Sequence, residues 1–206
     1  MNVLLVNVLL AFILFMSQSN MSSPVNCKAD TYSTDSGEND SQRLEKAIEY
    51  FQSGKYHEAL IIFRSLNTKY KLNPRFVAYL GVCYYYDWDY AEAALCLDSV
   101  MPQLEKLAPH ERSVYYFLSA ESHFNIKEYG KAISLYEKTL NVAFDNEKGD
   151  INYRLGFCHL YEGDKATARE CFESADAYYQ KFGTSRQNSG RIHQVKNMIK
   201  GLSGEH

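Results

Sequence analysis

Residues 81–94, GVCYYYDWDYAEAA, and residues 156–169, GFCHLYEGDKATAR, are two copies of one pattern. Gly81 aligns with Gly156, Cys83 with Cys158, Tyr86 with Tyr161, Asp89 with Asp164, Ala91 with Ala166 and Ala93 with Ala168. Two looser copies begin at Ala47 (AIEYFQSGKYHEAL) and at Ala120 (AESHFNIKEYGKAI). The alanines Ala59, Ala93, Ala132 and Ala168 therefore recur at intervals of 34, 39 and 36 residues. A period in this range is the signature of a helical repeat array, in which each unit buries its apolar face against its neighbours.

Each unit reads as two helices joined by a turn. In the first helix a small residue (Ala47, Gly81, Ala120 or Gly156) is followed three places on by Tyr50, Tyr84, His123 or His159, one turn away on the same face. Gly54 and Gly163 suit the left-handed position that ends a helix, and Trp88 and Lys127 stand at the same place in the other units. In the second helix Ala59, Phe63 and Leu66 share the spacing of Ala93, Leu97 and Val100, of Ala132, Tyr136 and Thr139, and of Ala168, Phe172 and Ala175. That spacing predicts one buried stripe per helix. The longest interval contains SVMPQLEKLAPHERS, in which Pro102 and Pro109 bracket an extended second helix and its connection, with Pro109 opening the next helix.

Small residue, aromatic, turn, then alanine and aromatic, at a period near 34 residues, resembles the tetratricopeptide repeat family. The likeness is carried by LGVCYYYDWDYAEAALCL and LGFCHLYEGDKATARECF and extends over roughly Gln42 to Phe182, with Lys46 and Ser119 replacing the leucine of the other units. It implies an all-α fold: a right-handed superhelix of about four helix pairs, with units near 42–73, 74–110, 111–148 and 149–182. After the stop GTS at 183–185, an apolar stripe of Ile192, Val195, Met198, Ile199 and Leu202 makes residues 186–202 a terminal capping helix. Arg186, Arg191, Lys196 and Lys200 are expected on its polar outer face.

The resemblance also implies a concave groove, lined by the first helices, that receives a peptide or helix of a partner protein. The matching positions include Tyr85 and Tyr86; Phe117, Glu121 and Phe124; and Tyr153, Phe157 and Tyr161. Arg75 and Arg154 are the candidates for polar contacts. Rings on such a face offer large contact area at modest entropic cost. The Lys, Arg and Asn set with which the family grips C-terminal carboxylates has mostly apolar counterparts here, so that ligand is not expected. Tyr84 and Tyr90 read as packing within the repeat. The groove rings also admit a second reading, in which they pack between units or bury against an identical chain.

The chain has 206 residues, 17 Tyr, 11 Phe and a formal charge of only -3. Without a long basic run it lacks the electrostatic footprint of a nucleic-acid binder. It has no Gly-rich phosphate loop, nucleophile elbow, HExxH or paired CxxC, so no catalytic residue, metal ligand or cofactor is assigned. His123 and His159 stand at aromatic positions and read as packing. Cys83 and Cys158 share one place in the repeat and Cys96 and Cys171 another, as buried fillers do. Disulfides Cys83–Cys96 and Cys158–Cys171 are the alternative in an oxidising compartment.

Val3 to Met16 is almost wholly apolar and is followed by SQSN. It is shorter than the roughly 20 residues of a membrane span. Residues 1–19 read as an export signal or anchor, residues 20–41 as a polar linker, and the periplasm or cell envelope as the expected location. No Lys or Arg precedes the apolar run, and a start at Met16 or Met21 gives the cytosolic alternative. Cys27 follows Pro24, Val25 and Asn26, which do not make a lipid-attachment site.

Overall fold

The computed structural model describes residues 39–182 and 189–204. The apolar segment 1–19, Cys27, the polar stretch up to residue 38, the GTS stop and Arg186 lie outside the described residues. Among the described residues there are nine α-helices: α1 Asp40–Gln52, α2 Tyr56–Lys69, α3 Pro74–Tyr86, α4 Tyr90–Val100, α5 Pro109–Asn125, α6 Tyr129–Val142, α7 Lys148–Tyr161, α8 Lys165–Phe182 and α9 Ser189–Ser203. They pack as the pairs α1–α2, α3–α4, α5–α6 and α7–α8, each pair against the next, with α9 on α8. The first helices α3 and α5 also touch directly, which sets the first helices on the inner side of the array. The fold is an all-α repeat superhelix of four helix pairs with a terminal helix.

The turn inside each unit is built the same way four times. Gly54, Trp88, Lys127 and Gly163 all adopt positive φ, at 73°, 69°, 65° and 86°. The N–H that follows each of them reaches back to Tyr50, Tyr84, His123 or His159, at 2.8, 3.0, 2.9 and 2.9 Å. This is the Schellman arrangement, which satisfies the last carbonyls of the first helix and turns the chain into the second. At the other end of the array α1 begins at Asp40, two residues before the sequence reading placed it. Asn39 and Gln42 cap each other there through side chain and backbone, at 2.9 and 3.0 Å.

The expected stripes form the core. All twelve stripe residues on α2, α4, α6 and α8 are buried, none above 6 % exposed. The small residues of the first helices allow this: a Cβ on Gly81 would lie 2.8 Å from the Leu97 side chain, and one on Gly156 2.6 Å from the Phe172 ring. Ser119, where other units have leucine, is buried and donates to Asp98 of α4 at 2.8 Å.

The long interval differs from the reading. α4 stops at Val100, and Met101–Lys106 form a separate 3₁₀ helix whose Met101 and Leu104 are buried. Pro102 explains the break, because in a continued α-helix its ring would strike the Asp98 carbonyl. Pro109 opens α5 as read. In α9, Val195 is buried, and Ile192, Met198, Ile199 and Leu202 pack beside it onto α8, while Lys196 and Lys200 are exposed. Arg191 departs from its expected outward place: it turns in to Asp150 of α7. Cys83, Cys96, Cys158 and Cys171 are all thiols. Burial pushes Cys158 up to about 12 and Cys96 and Cys171 up to about 11, the behaviour of unreactive fillers.

Candidate functional site

Two groups of rings lie along the first helices. On α3, Tyr85 meets Tyr86 edge-on at 5.4 Å and Tyr90 of α4 at 5.5 Å. On α5 and α7, Phe124 lies 6.0 Å from Tyr161, and Phe157 lies 5.0 Å from Tyr153 and 6.3 Å from Tyr161. Tyr85, Tyr86, Phe124, Tyr153 and Phe157 are half-buried, and Tyr161 is 57 % exposed. Burial pushes the hydroxyls of Tyr85, Tyr86 and Tyr153 above their ordinary value, so they remain neutral donors at physiological pH.

Two of the ten residues assigned to the groove from sequence are not on its surface. Phe117 and Glu121 are each 1 % exposed. Phe117 packs edge-on against Tyr136 of α6 at 5.8 Å, and Glu121 accepts from Tyr136 Oη and, at 2.7 Å, from Arg154 of α7. Phe117 faces α6 of its own unit and Glu121 sits between α6 and α7, because α5 is buried without a break from Ser113 to His123. Tyr90, expected to pack within the repeat, is half-buried and packs edge-on against Tyr85 of its own unit.

Two seams between units are closed by stacked tyrosines. Tyr56, which opens α2, stacks on Tyr86 at 4.0 Å, and Tyr129, which opens α6, stacks on Tyr161 at 4.8 Å. Tyr86 and Tyr161 therefore hold neighbouring units together while staying partly exposed. The sequence signal was present, since Tyr56, Tyr90 and Tyr129 each stand three residues before the repeat alanine.

Ion pairs join successive first helices and the terminal helix. Arg75 of α3 donates to Glu111 of α5 at 2.9 Å, Arg154 of α7 to Glu121 of α5 at 2.7 Å, and Arg191 of α9 to Asp150 of α7. Tyr179 of α8 adds a bond to Asp150 at 2.6 Å, as Tyr136 does to Glu121. Two of the guanidinium groups rest on rings, Arg154 over Phe124 at 5.0 Å and Arg191 over Tyr153 at 5.3 Å. Burial pushes the Glu121 carboxyl up, against the pull of Arg154. Glu111, Asp150 and Tyr179 were not found from sequence because they do not share one repeat position, and Arg191 was expected on the outer face of the cap.

His123 is not a plain packing residue. Its Nε2 lies 2.9 Å from Asp98 of α4 and its Nδ1 2.7 Å from Glu128 before α6. Both ring nitrogens face carboxylates, an arrangement that favours the imidazolium, in which both nitrogens donate. The bond to Asp98 raises its pKa, against a lowering by burial. His123 borders an open cavity of about 570 Å³, with Asp98, Tyr116, Lys131 and Lys138 in its wall. As imidazolium, this histidine offers no base to that cavity. Among the described residues no three His, Cys, Asp or Glu side chains converge as a metal ion requires, and no helix is long and apolar enough to cross a membrane.

Four repeated turns, buried alanine stripes and first helices facing inward match a known repeat. The tetratricopeptide repeat family model matches residues 150–181. That segment covers most of α7 and α8, the unit in which the small residue, aromatic and alanine stand in the same register as in α3 and α4. Solved structures share the architecture. MamA AMB-1 superposes with a TM-score of 0.63 at 16 % identity, over 81 % of this chain and 84 % of that one. MamA 41-end from Desulfovibrio magneticus RS-1 gives 0.55 at 15 % identity, over 82 % of this chain and 99 % of that one. At these identities the likeness is one of fold. No curated protein matches this sequence.

Proposed function

We propose that this chain is a noncatalytic interaction scaffold that holds an extended or helical segment of another protein in its inner groove. The observation that carries the reading is the band of accessible rings along the first helices, with Tyr86, Phe124, Phe157 and Tyr161 at its centre. Rings of this kind are the usual anchors of protein interfaces. The tetratricopeptide-type fold supports a protein partner, as such scaffolds present an extended concave binding surface. The apolar run from Val3 to Met16 supports an exported protein acting in the periplasm or cell envelope.

Affinity capture from the native cells tests the binding reading, using the full chain and a Tyr86→Ala/Tyr161→Ala variant. The wild type retains a partner that the variant loses by about tenfold or more, while the variant still unfolds cooperatively. Equal recovery by both chains contradicts the groove. A stable homodimer in sedimentation velocity that the same substitutions dissolve replaces it with self-association. Mass spectrometry of the mature chain from fractionated cells tests the location. A mass beginning near Asn20 in an envelope fraction supports export, and an intact chain in the cytosol contradicts it.

A further inference from the structure

The ion pairs that link α3 to α5, α7 to α5 and the terminal helix α9 to α7 share an asymmetry. In each, the carboxylate is the buried member and the arginine the exposed one: Glu111 13 % against Arg75 37 %, Glu121 1 % against Arg154 28 %, Asp150 9 % against Arg191 28 %. Two of the three acids are also engaged from within, since Glu121 accepts from Tyr136 and Asp150 from Tyr179. Arg75 and Arg154 each bond their acid through a single guanidinium nitrogen, Nη2, and keep part of the side chain exposed. Arg154 stands among the rings: it lies over Phe124, and its charge is felt at the hydroxyls of Tyr85 and Tyr90. A guanidinium carries five N–H donors in a planar fork, so one bonded to a buried acid still presents donors on its exposed side.

From this we infer that the groove selects an acidic partner: a segment in which Asp or Glu side chains alternate with apolar or aromatic ones. The apolar residues cover the rings, and the carboxylates meet the outward edges of Arg75 and Arg154. The buried acids fix each guanidinium in place before the partner arrives, so little side-chain entropy is lost on binding. The counterparts of the family's clamp for chain termini are mostly apolar here, so the recognised carboxylates are side chains within the segment. The inference rests on the groove reading above and specifies the chemistry of its ligand.

The test pans a library of random dodecapeptides on phage against the full chain. Enriched peptides are synthesised and measured by fluorescence anisotropy against wild type, Arg75→Gln, Arg154→Lys and Tyr161→Ala. Arg154→Lys keeps a charge on Glu121, so the fold survives while the planar fork is lost. The expected result is enrichment of Asp and Glu, affinity that falls as salt rises, and about tenfold weaker binding when Asp is replaced by Asn or when either arginine is changed. Neutral or basic peptides that depend on Tyr161 but not on the arginines overturn the acidic partner and leave the groove reading standing. Peptides indifferent to Tyr161 and to both arginines overturn both.

Discussion

Trp88 and Lys127 occupy left-handed backbone that Gly54 and Gly163 occupy elsewhere, and Trp88 is 78 % exposed. A side chain there costs about 1–2 kcal/mol, more than the roughly 0.5–1 kcal/mol of extra entropy that glycine loses on folding. Trp88→Gly and Lys127→Gly are therefore each expected to raise stability by about 0.5–1 kcal/mol, a rise in Tm of roughly 1–4 °C. A fall in Tm on scanning calorimetry contradicts the turn assignment. The sequence reading placed all four turn residues correctly, because the turn is local and its register is carried by the alanine that follows. It did not find the environment of His123, because Asp98 comes from another unit. Facing His123 are Asp98 from α4, Glu128 from the turn and Lys131 from α6. Its folded pKa is raised, so its contribution is complete below the ordinary histidine value of 6.5 and is lost as pH rises through the folded value. Asp98 is pushed up by burial, but the bonds from His123 and Ser119 outweigh this and hold it below 3.8. Glu128 is held below 4.5 by Lys131 and then by His123. The contributions of these two acids are present above those values and fade as pH falls through the lowered ones. The stability difference between wild type and His123→Gln in urea is expected to be largest between about pH 5 and 6 and to shrink toward pH 9. A difference that does not change with pH contradicts the imidazolium.

Helices in this chain are held at fixed spacing by what the small residues leave out. A methyl at Gly156 meets three atoms of the Phe172 ring within 2.8 Å, and Phe172 is wholly buried between α7 and α8. Gly156→Ala is expected to destabilise by about 1–3 kcal/mol, more than it gains from helix propensity. Gly130→Ala is its control, with nothing within 4 Å, and is expected to be neutral or stabilising. Urea midpoints of the two variants decide the matter, and equal midpoints contradict the packing described for α7 against α8. Pairing of elements was legible because small residue and ring recur together. The 3₁₀ helix at Met101–Lys106 was not, because the sequence reading extended the α-helix through Pro102.

At the scale of the whole molecule, four units and a terminal helix set rings and the paired arginines Arg75 and Arg154 along the first helices. The sequence register set the first helices on the inner side and named Tyr85, Tyr86, Phe124 and Phe157, which are partly exposed there. It misplaced Phe117 and Glu121, which belong to the unbroken buried run of α5 from Ser113 to His123, a long-range property that no single unit encodes. It also left out the acids behind the arginines, since each cross-link joins residues at least 33 positions apart and at different places in the repeat. The central claim, that this inner face holds a segment of another protein, is tested most directly by a crosslinking map made in the native cells. A photoreactive residue is placed in turn at Tyr161 on the inner face and at Ile61 and Leu95, exposed residues on the second helices. The account predicts one discrete heterologous adduct at Tyr161 and none at the other two positions. Adducts at Ile61 or Leu95 with none at Tyr161 would contradict it.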